Sequence, residues 1–207
     1  MSDFILARVS QTLAAEQSLE TLVRQLLEML EAVTRMESTY LTRIDINAQR
    51  QQVMFAHNSS EMQIPEGFSV PWDESLCKRA LEDQCTFSND VAHRWHSCIA
   101  AQELGIATFL SIPVRLADGS LFGTLCATSR QKQPYNLEGE QVMGLFARLI
   151  SHYVEKDTLV HSCRRLTSRW SCTRRPMSSP SFLIAVRCLS SWRYALPPPA
   201  PSSSRCR

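Results

Sequence analysis

The last 47 residues of this 207-residue chain contain no Asp, Glu, Lys, Gly, Asn or Gln. A globular segment of that length at ordinary usage carries roughly a dozen charged residues of both signs and about three glycines. Residues 161–207 carry instead nine Arg, 11 Ser, six Pro and four of the eight Cys. Residues 1–160 are the reverse, with 20 acidic and 13 basic side chains and a net charge of −7. The overall +2 is therefore an average over two unlike parts. Long apolar runs are missing as well. The best, Phe182 to Val186, is five residues, far short of the roughly 20 that a spanning helix needs. Asp3 and the lack of a basic N-terminal stretch leave no signal peptide in view. Cys77, Cys85, Cys98 and Cys126 are scattered without a CxxC spacing, which reads as reduced, buried thiols in the cytoplasm. These absences argue against a strongly basic nucleic-acid domain, a membrane protein and a disulfide scaffold. At 44% hydrophobic, the chain is rich enough in apolar residues to bury a proper core.

What is present follows two periods. Phe4, Ile5, Val9 and Leu13 lie on one stripe of a first helix over 2–15. Ser18 is placed to cap a second helix, with Glu20 in its first turn. There Leu19, Leu22, Val23, Leu26, Leu30 and Val33 repeat at helical spacing. Thr39 to Ile46 alternates and is rich in β-branched residues, and Gln51 to Ala56 reads as its neighbouring strand. Pro65, Gly67 and Pro71 punctuate a loop. Asp73 is expected to cap a helix over Glu74 to Asp83, and His93 to Leu104 reads as another short helix stopped by Gly105. Thr108 to Leu116 and Ser120 to Ser129 are two strands joined by Ala117-Asp118-Gly119, where glycine supplies a positive φ. Asn136 starts a final helix carrying Val142, Leu145, Phe146, Leu149, Ile150, Tyr153 and Val154.

Antiparallel hairpins with helices before, between and after them make an α+β domain: one antiparallel sheet flanked by N- and C-terminal helices, its other face closed by connecting segments. The expected organisation is a domain over 1–160 followed by a disordered tail over 161–207.

Four segments carry a family resemblance: Phe68 to Trp72 with Leu76-Cys77-Lys78-Arg79; Asn89-Asp90-Val91; Leu104-Gly105-Ile106; and Ile112-Pro113-Val114 through Asp118-Gly119 to Phe122-Gly123-Thr124-Leu125-Cys126-Ala127. Together they resemble a GAF domain, the small-ligand sensory module of many bacterial signalling proteins. The last segment, a strand ending in Pro-Val, a tight turn and a strand with Gly-Thr-Leu-Cys, is similar to GAF domains fused to diguanylate cyclases. The resemblance covers about 18–155 and implies a sensory cup between sheet and crossover. The residues expected to line it are Phe68, Trp72, Cys77, Asp90, Trp95, Phe109, Ser111 and Cys126. Ligand and cofactor stay unnamed. Gly123 within its strand permits close approach of either a ligand or another backbone.

The resemblance also implies a homodimer, in which the end helices over 18–35 and 137–158 pair across a two-fold axis. Val142, Leu145, Leu149 and Tyr153 have the spacing for that contact; covering the domain's own sheet is the alternative use of the same stripes. No nucleic acid and no membrane is expected as a partner.

The tail has an explanation at the level of codons. When the third base of each tail codon becomes the first base of a new one, the permitted readings around Met177 include Asp-Glu-Leu-Thr, an aliphatic residue, then Leu-Pro-Asn-Arg-Arg-Ala-Leu-Phe. That string resembles the opening of a GGDEF domain, the catalytic module of diguanylate cyclases, although the family's usual glycine is not encodable there. A frameshift near Val160–His161 in a GAF–GGDEF gene would produce such a tail. A genuine arginine-rich tail that binds RNA or anionic lipid is the other reading. The cyclase's metal-binding aspartate and its Gly-Gly-Asp/Glu-Glu-Phe loop are both missing from this sequence, so no catalytic residue for that chemistry is assigned and the chain is read as a non-enzyme.

Three further chemistries come from the side chains present. His93, His96 and Cys98 form H-x-x-H-x-C, in which two imidazoles would share a helical face, but no third or fourth ligand is visible and no metal site is assigned. Some GAF proteins reduce free methionine sulfoxide with cysteines, and four thiols are available for that rival enzyme reading. Bilin attachment usually uses a Cys-His pair, whereas Ile99 follows Cys98 and Lys78 follows Cys77.

Overall fold

The computed structural model describes the backbone of residues 18–171 and the side chains of residues 18–160. The helix expected over 2–15 and the tail beyond 171 lie outside the described residues. The chain divides into two units at Ser162/Cys163; the first carries the sheet.

In order, the elements are helix α1 (Leu19–Thr34), strands β1 (Ser38–Asp45), β2 (Arg50–Asn58) and β3 (Ser69–Pro71), a 3₁₀ turn (Trp72–Glu74), helix α2 (Leu76–Glu82), strand β4 (Phe87–Ser88), helices α3 (Val91–Arg94) and α4 (Ile99–Glu103), strands β5 (Thr108–Arg115) and β6 (Leu121–Ser129), and helix α5 (Leu137–Ser171). The strands form one antiparallel sheet in the order β3-β2-β1-β6-β5-β4. The architecture is the expected α+β sheet with helices at both ends.

Local chemistry starts these elements where the sequence suggests. Ser18 caps α1, its Oγ accepting from the Thr21 amide at 3.2 Å. Asn136 opens α5, its Oδ1 accepting from the Gly139 amide at 3.1 Å, while its Nδ2 donates to the Val33 carbonyl at 3.0 Å and ties α5 to the end of α1. The β5–β6 turn closes with Gly119 at φ 82° and the Leu116 amide on the Ser120 carbonyl at 2.9 Å.

Three expectations change. Asp73 does not cap the helix after the loop. Ser75 does, accepting from the Lys78 amide at 3.2 Å, because Asp73 is engaged by the Lys78 side chain. The single helix expected over His93 to Leu104 is two short ones. The chain leaves α3 at Trp95, whose indole turns inward to pack edge-on against Phe109 at 6.1 Å and donates to Asp83 Oδ2 at 2.8 Å. The final helix also runs past 158, to Ser171. β3 and β4 lie at the sheet edges and have three and two residues, too short for an alternation to show.

Alternating side chains build two cores, one on each face of the sheet. On one face, Leu41, Leu110, Val114, Leu125 and Ala127 meet Leu22, Val23, Leu26, Leu27 and Leu30 of α1 and Met143, Phe146, Ala147 and Ile150 of α5. On the other, Tyr40, Val53, Phe109 and Cys126 meet Leu76, Cys77, Ala80, Val91, Trp95, Cys98 and Ala101 from the crossover. The central strands are therefore covered on both sides. β6 is buried without interruption from Gly123 to Ser129, and each of its fully buried large side chains contributes about 1.5–3 kcal/mol.

Candidate functional site

A cavity lies between the crossover and the outer half of the sheet. Its floor is Tyr40 and Thr42 of β1 with Gln51 and Val53 of β2; its wall is Ile64, Phe68, Ser75, Leu76, Cys77, Cys98 and residues of α4. These sheet residues sit two apart along their strands, so they point to the same face. The cavity volume is about 60 Å³, enough for a few waters and well below the roughly 300–1,000 Å³ of pockets that enclose a drug-sized ligand.

Polar groups gather at the inner end. The Thr42 and Thr124 hydroxyls are 2.7 Å apart across β1 and β6. Gln51 is buried, and its Nε2 donates to Cys77 Sγ at 3.0 Å. Its Oε1 is buried with no hydrogen-bond partner among the described residues, a state that costs about 1–3 kcal/mol. The Cys77 and Cys126 sulfurs are 3.5 Å apart. Cys126 Sγ also lies 3.3 Å from Thr124 Oγ1 and 3.5 Å from Ser111 Oγ.

The two thiols titrate as a pair. The hydrogen bond from Cys126 lowers Cys77 below the ordinary thiol range, against the effect of burial and with help from Thr124, Gln51 and Ser111. Burial and the neighbouring Cys77 push Cys126 well up. Burial likewise raises Tyr40, whose hydroxyl faces the same sulfurs. Cys98 is raised by burial, and its Sγ donates to the Glu74 carbonyl at 3.1 Å.

Of the residues expected to line the cup, Phe68 and Cys77 do so. Trp72 is half-buried against the same core. Trp95, Phe109, Ser111 and Cys126 are buried around and behind the cavity, outside its lining. Asp90 is elsewhere: its carboxylate pairs at the surface with His93 and Lys132, at 3.0 and 3.1 Å. Tyr40, Gln51, Val53 and Ile64 were not among the expected residues. The i, i+2 pattern of β1 and β2, followed on the face turned away from the helices, is the signal that points to the first three.

The shared helical face of His93 and His96 does not form, because α3 ends at Arg94. Among the described residues no group of three or more His, Cys, Asp or Glu side chains is arranged to hold a metal ion, and no helix is long and apolar enough to cross a membrane.

Residues 16–155 match the GAF domain family. The chain belongs to that family. Over 164 residues the chain is 60% identical to the diguanylate cyclase DgcP of Escherichia coli (strain K12), an alignment that takes in 79% of this chain and 48% of that protein. The chain thus spans about half the length of that relative. Among solved structures, the GAF domain of an Acinetobacter phosphoenolpyruvate-protein phosphotransferase superposes with a TM-score of 0.60 at 17% identity, over 76% of this chain and 94% of that one. The phycocyanobilin-bound GAF domain of a cyanobacterial phytochrome superposes with a TM-score of 0.63 at 13% identity, over 78% and 97%. At such identities the likeness is one of fold.

Proposed function

We propose that this chain is the sensory input half of a diguanylate-cyclase-type signalling protein that works in the cytoplasm. The observation that carries this reading is the 60% identity to a diguanylate cyclase over about half of that protein, in a chain whose residues 16–155 match the GAF family. Input is differential binding: a small ligand favours one packing of the crossover over the sheet and shifts the end helices that lead to the output domain.

The orphaned Gln51 Oε1 supports a ligand that brings a hydrogen-bond donor. Phe68, Cys77, Tyr40 and Gln51 make the first contacts in this proposal, and Trp72, Trp95, Phe109, Ser111 and Cys126 shape the walls behind them. At about 60 Å³ the cavity takes a ligand larger than a few waters only after the crossover moves. Two copies pair through α5, using Val142, Leu145, Leu149 and Tyr153.

Residues 161–207, with no acid and no glycine, are the out-of-frame remnant of the GGDEF half in this proposal. It requires that third-base codons beyond His161 spell the Asp-Glu-Leu-Thr string in the DNA. The functional test is a fusion. Residues 1–160 replace the matching segment of DgcP, and cyclic di-GMP synthesis is measured. The expected result is synthesis comparable to the parent; a fusion that folds and dimerises but makes none sinks the proposal.

A further inference from the structure

The paired thiols at the inner end of the cavity have a chemistry of their own, separate from ligand sensing. We propose that Cys77 and Cys126 form a peroxide-oxidised, reversible disulfide that ties helix α2 to the central strand β6.

Geometry carries this. The two sulfurs are already in van der Waals contact at 3.5 Å, although 49 residues separate them in the chain. A disulfide at about 2.05 Å needs them to close by about 1.5 Å. Cys77 sits at the N-terminal end of α2, whose seven residues are held through the Ser75 cap. Cys126 lies in the middle of β6, paired with Tyr40 on one side and Ser111 on the other. The mobile partner is therefore α2, and the rigid one is the sheet.

Selectivity follows from hydrogen bonding. Cys85 and Cys98 each aim a thiol at a backbone carbonyl, Phe87 O at 3.0 Å and Glu74 O at 3.1 Å. Cys77 Sγ accepts instead, from Gln51 Nε2 at 3.0 Å. A hydrogen bond donated to a sulfur favours its thiolate form, and the thiolate is the nucleophile. Room is available as well. Cys77 lines the cavity, whose volume of about 60 Å³ is enough to hold hydrogen peroxide, a molecule little larger than water.

The chemistry balances in two steps. The Cys77 thiolate attacks one oxygen of hydrogen peroxide. The O–O bond breaks, the sulfur keeps a hydroxyl as sulfenic acid, and the departing hydroxide takes up the proton that Cys77 gave up. The Cys126 sulfur then attacks Cys77. The S–O bond breaks, the S–S bond forms, and the hydroxyl leaves as water with the Cys126 proton. Two thiols lose two electrons and two protons, and one peroxide becomes two waters. A small dithiol reductant reverses the bond by exchange.

The consequence is mechanical. With the disulfide in place, the crossover is fastened over the cavity floor, so the oxidised domain opens less readily than the reduced one.

The test uses the full chain treated with stoichiometric hydrogen peroxide, then digested without reductant and mapped by mass spectrometry. The expected main product is a cross-linked pair of peptides containing Cys77 and Cys126, lighter by about 2 Da than the sum of its reduced parts. The bond should form in the folded chain, vanish with dithiothreitol, and not dominate when the chain is oxidised in urea. In Cys126→Ser, dimedone should label Cys77; in Cys77→Ser, dimedone should leave Cys126 unlabelled. Hydrogen exchange at Leu76–Glu82 should slow on oxidation. The proposal is overturned if the main cross-link uses Cys85, Cys98 or a tail cysteine, or if Cys77 stays reduced in the folded chain while other thiols oxidise. The wild-type peptide map decides this even if neither serine variant folds, and it is independent of whether any ligand enters the cavity.

Discussion

A Cβ built on Gly123 would stand 1.8 Å from the Thr42 carbonyl oxygen and 2.8 Å from its carbonyl carbon. Both are backbone atoms of the adjacent strand, so no side chain can turn aside to make room. Of the two uses open to this glycine, close approach of backbone is the one observed. Gly123→Ala is expected to separate β1 from β6 or leave the domain unfolded, a loss of more than about 3 kcal/mol, read as the midpoint of urea denaturation. Arg24 and Glu66 are a milder case. The guanidinium donates to both Glu66 oxygens at 2.8 and 3.1 Å, and Glu66 also accepts from the Ala56 amide at 3.0 Å. These bonds, Arg24 first, hold the Glu66 carboxyl below its ordinary range. A depressed folded value means that the stabilisation is fully present above the unfolded value of 4.5 and is lost as pH falls through the folded one. Both side chains are more than a third exposed, so solvent screening limits the effect to about 1 kcal/mol or less. Glu66→Gln should therefore lower stability slightly at neutral pH and match the wild type in strong acid, as followed by thermal unfolding across the pH range.

Helix α5 divides by face. Met143, Phe146, Ala147, Ile150 and Val154 are buried on the sheet, while Val142, Leu149 and Tyr153 flank that stripe half-buried and Leu145 is 45% exposed. The stripe read as a dimer contact is thus the shoulder of the helix, and its inner neighbours cover the domain's own sheet. Leu145→Glu is expected to leave the unfolding midpoint within about 0.5 kcal/mol of wild type and to shift a dimer to monomer in light scattering. Ile150→Glu, which buries a charge without a partner, should abolish folding. The elements that periodicity revealed are those long enough to repeat it: α1, α5 and the four long strands. β3 and β4, at three and two residues, exist through pairing with β2 and β5 and leave no local trace. The break between α3 and α4 has the same origin, because Trp95 is drawn to Phe109, a residue on another element.

In the whole domain a single sheet separates two cores, one made by the end helices and one by the crossover. That division explains which parts of the candidate site could be read in advance. Apolar stripes, caps, the β5–β6 turn and the contrast between an acidic body and an acid-free tail are properties of neighbouring residues, and the chain states them directly. The cavity is different. Thr42 meets Thr124 across 82 residues and Cys77 meets Cys126 across 49. Such meetings depend on strand order and register, which no local pattern records. The same holds for Asp90, which belongs to the Asn89-Asp90-Val91 segment and lies outside the cavity because Lys132, 42 residues away, and His93 hold it at the surface. Short-range periodicity therefore sufficed for the kinds of element and the faces they bury. Long-range pairing set which polar groups share the interior, how much room is left between them, and why Gly123 has no substitute.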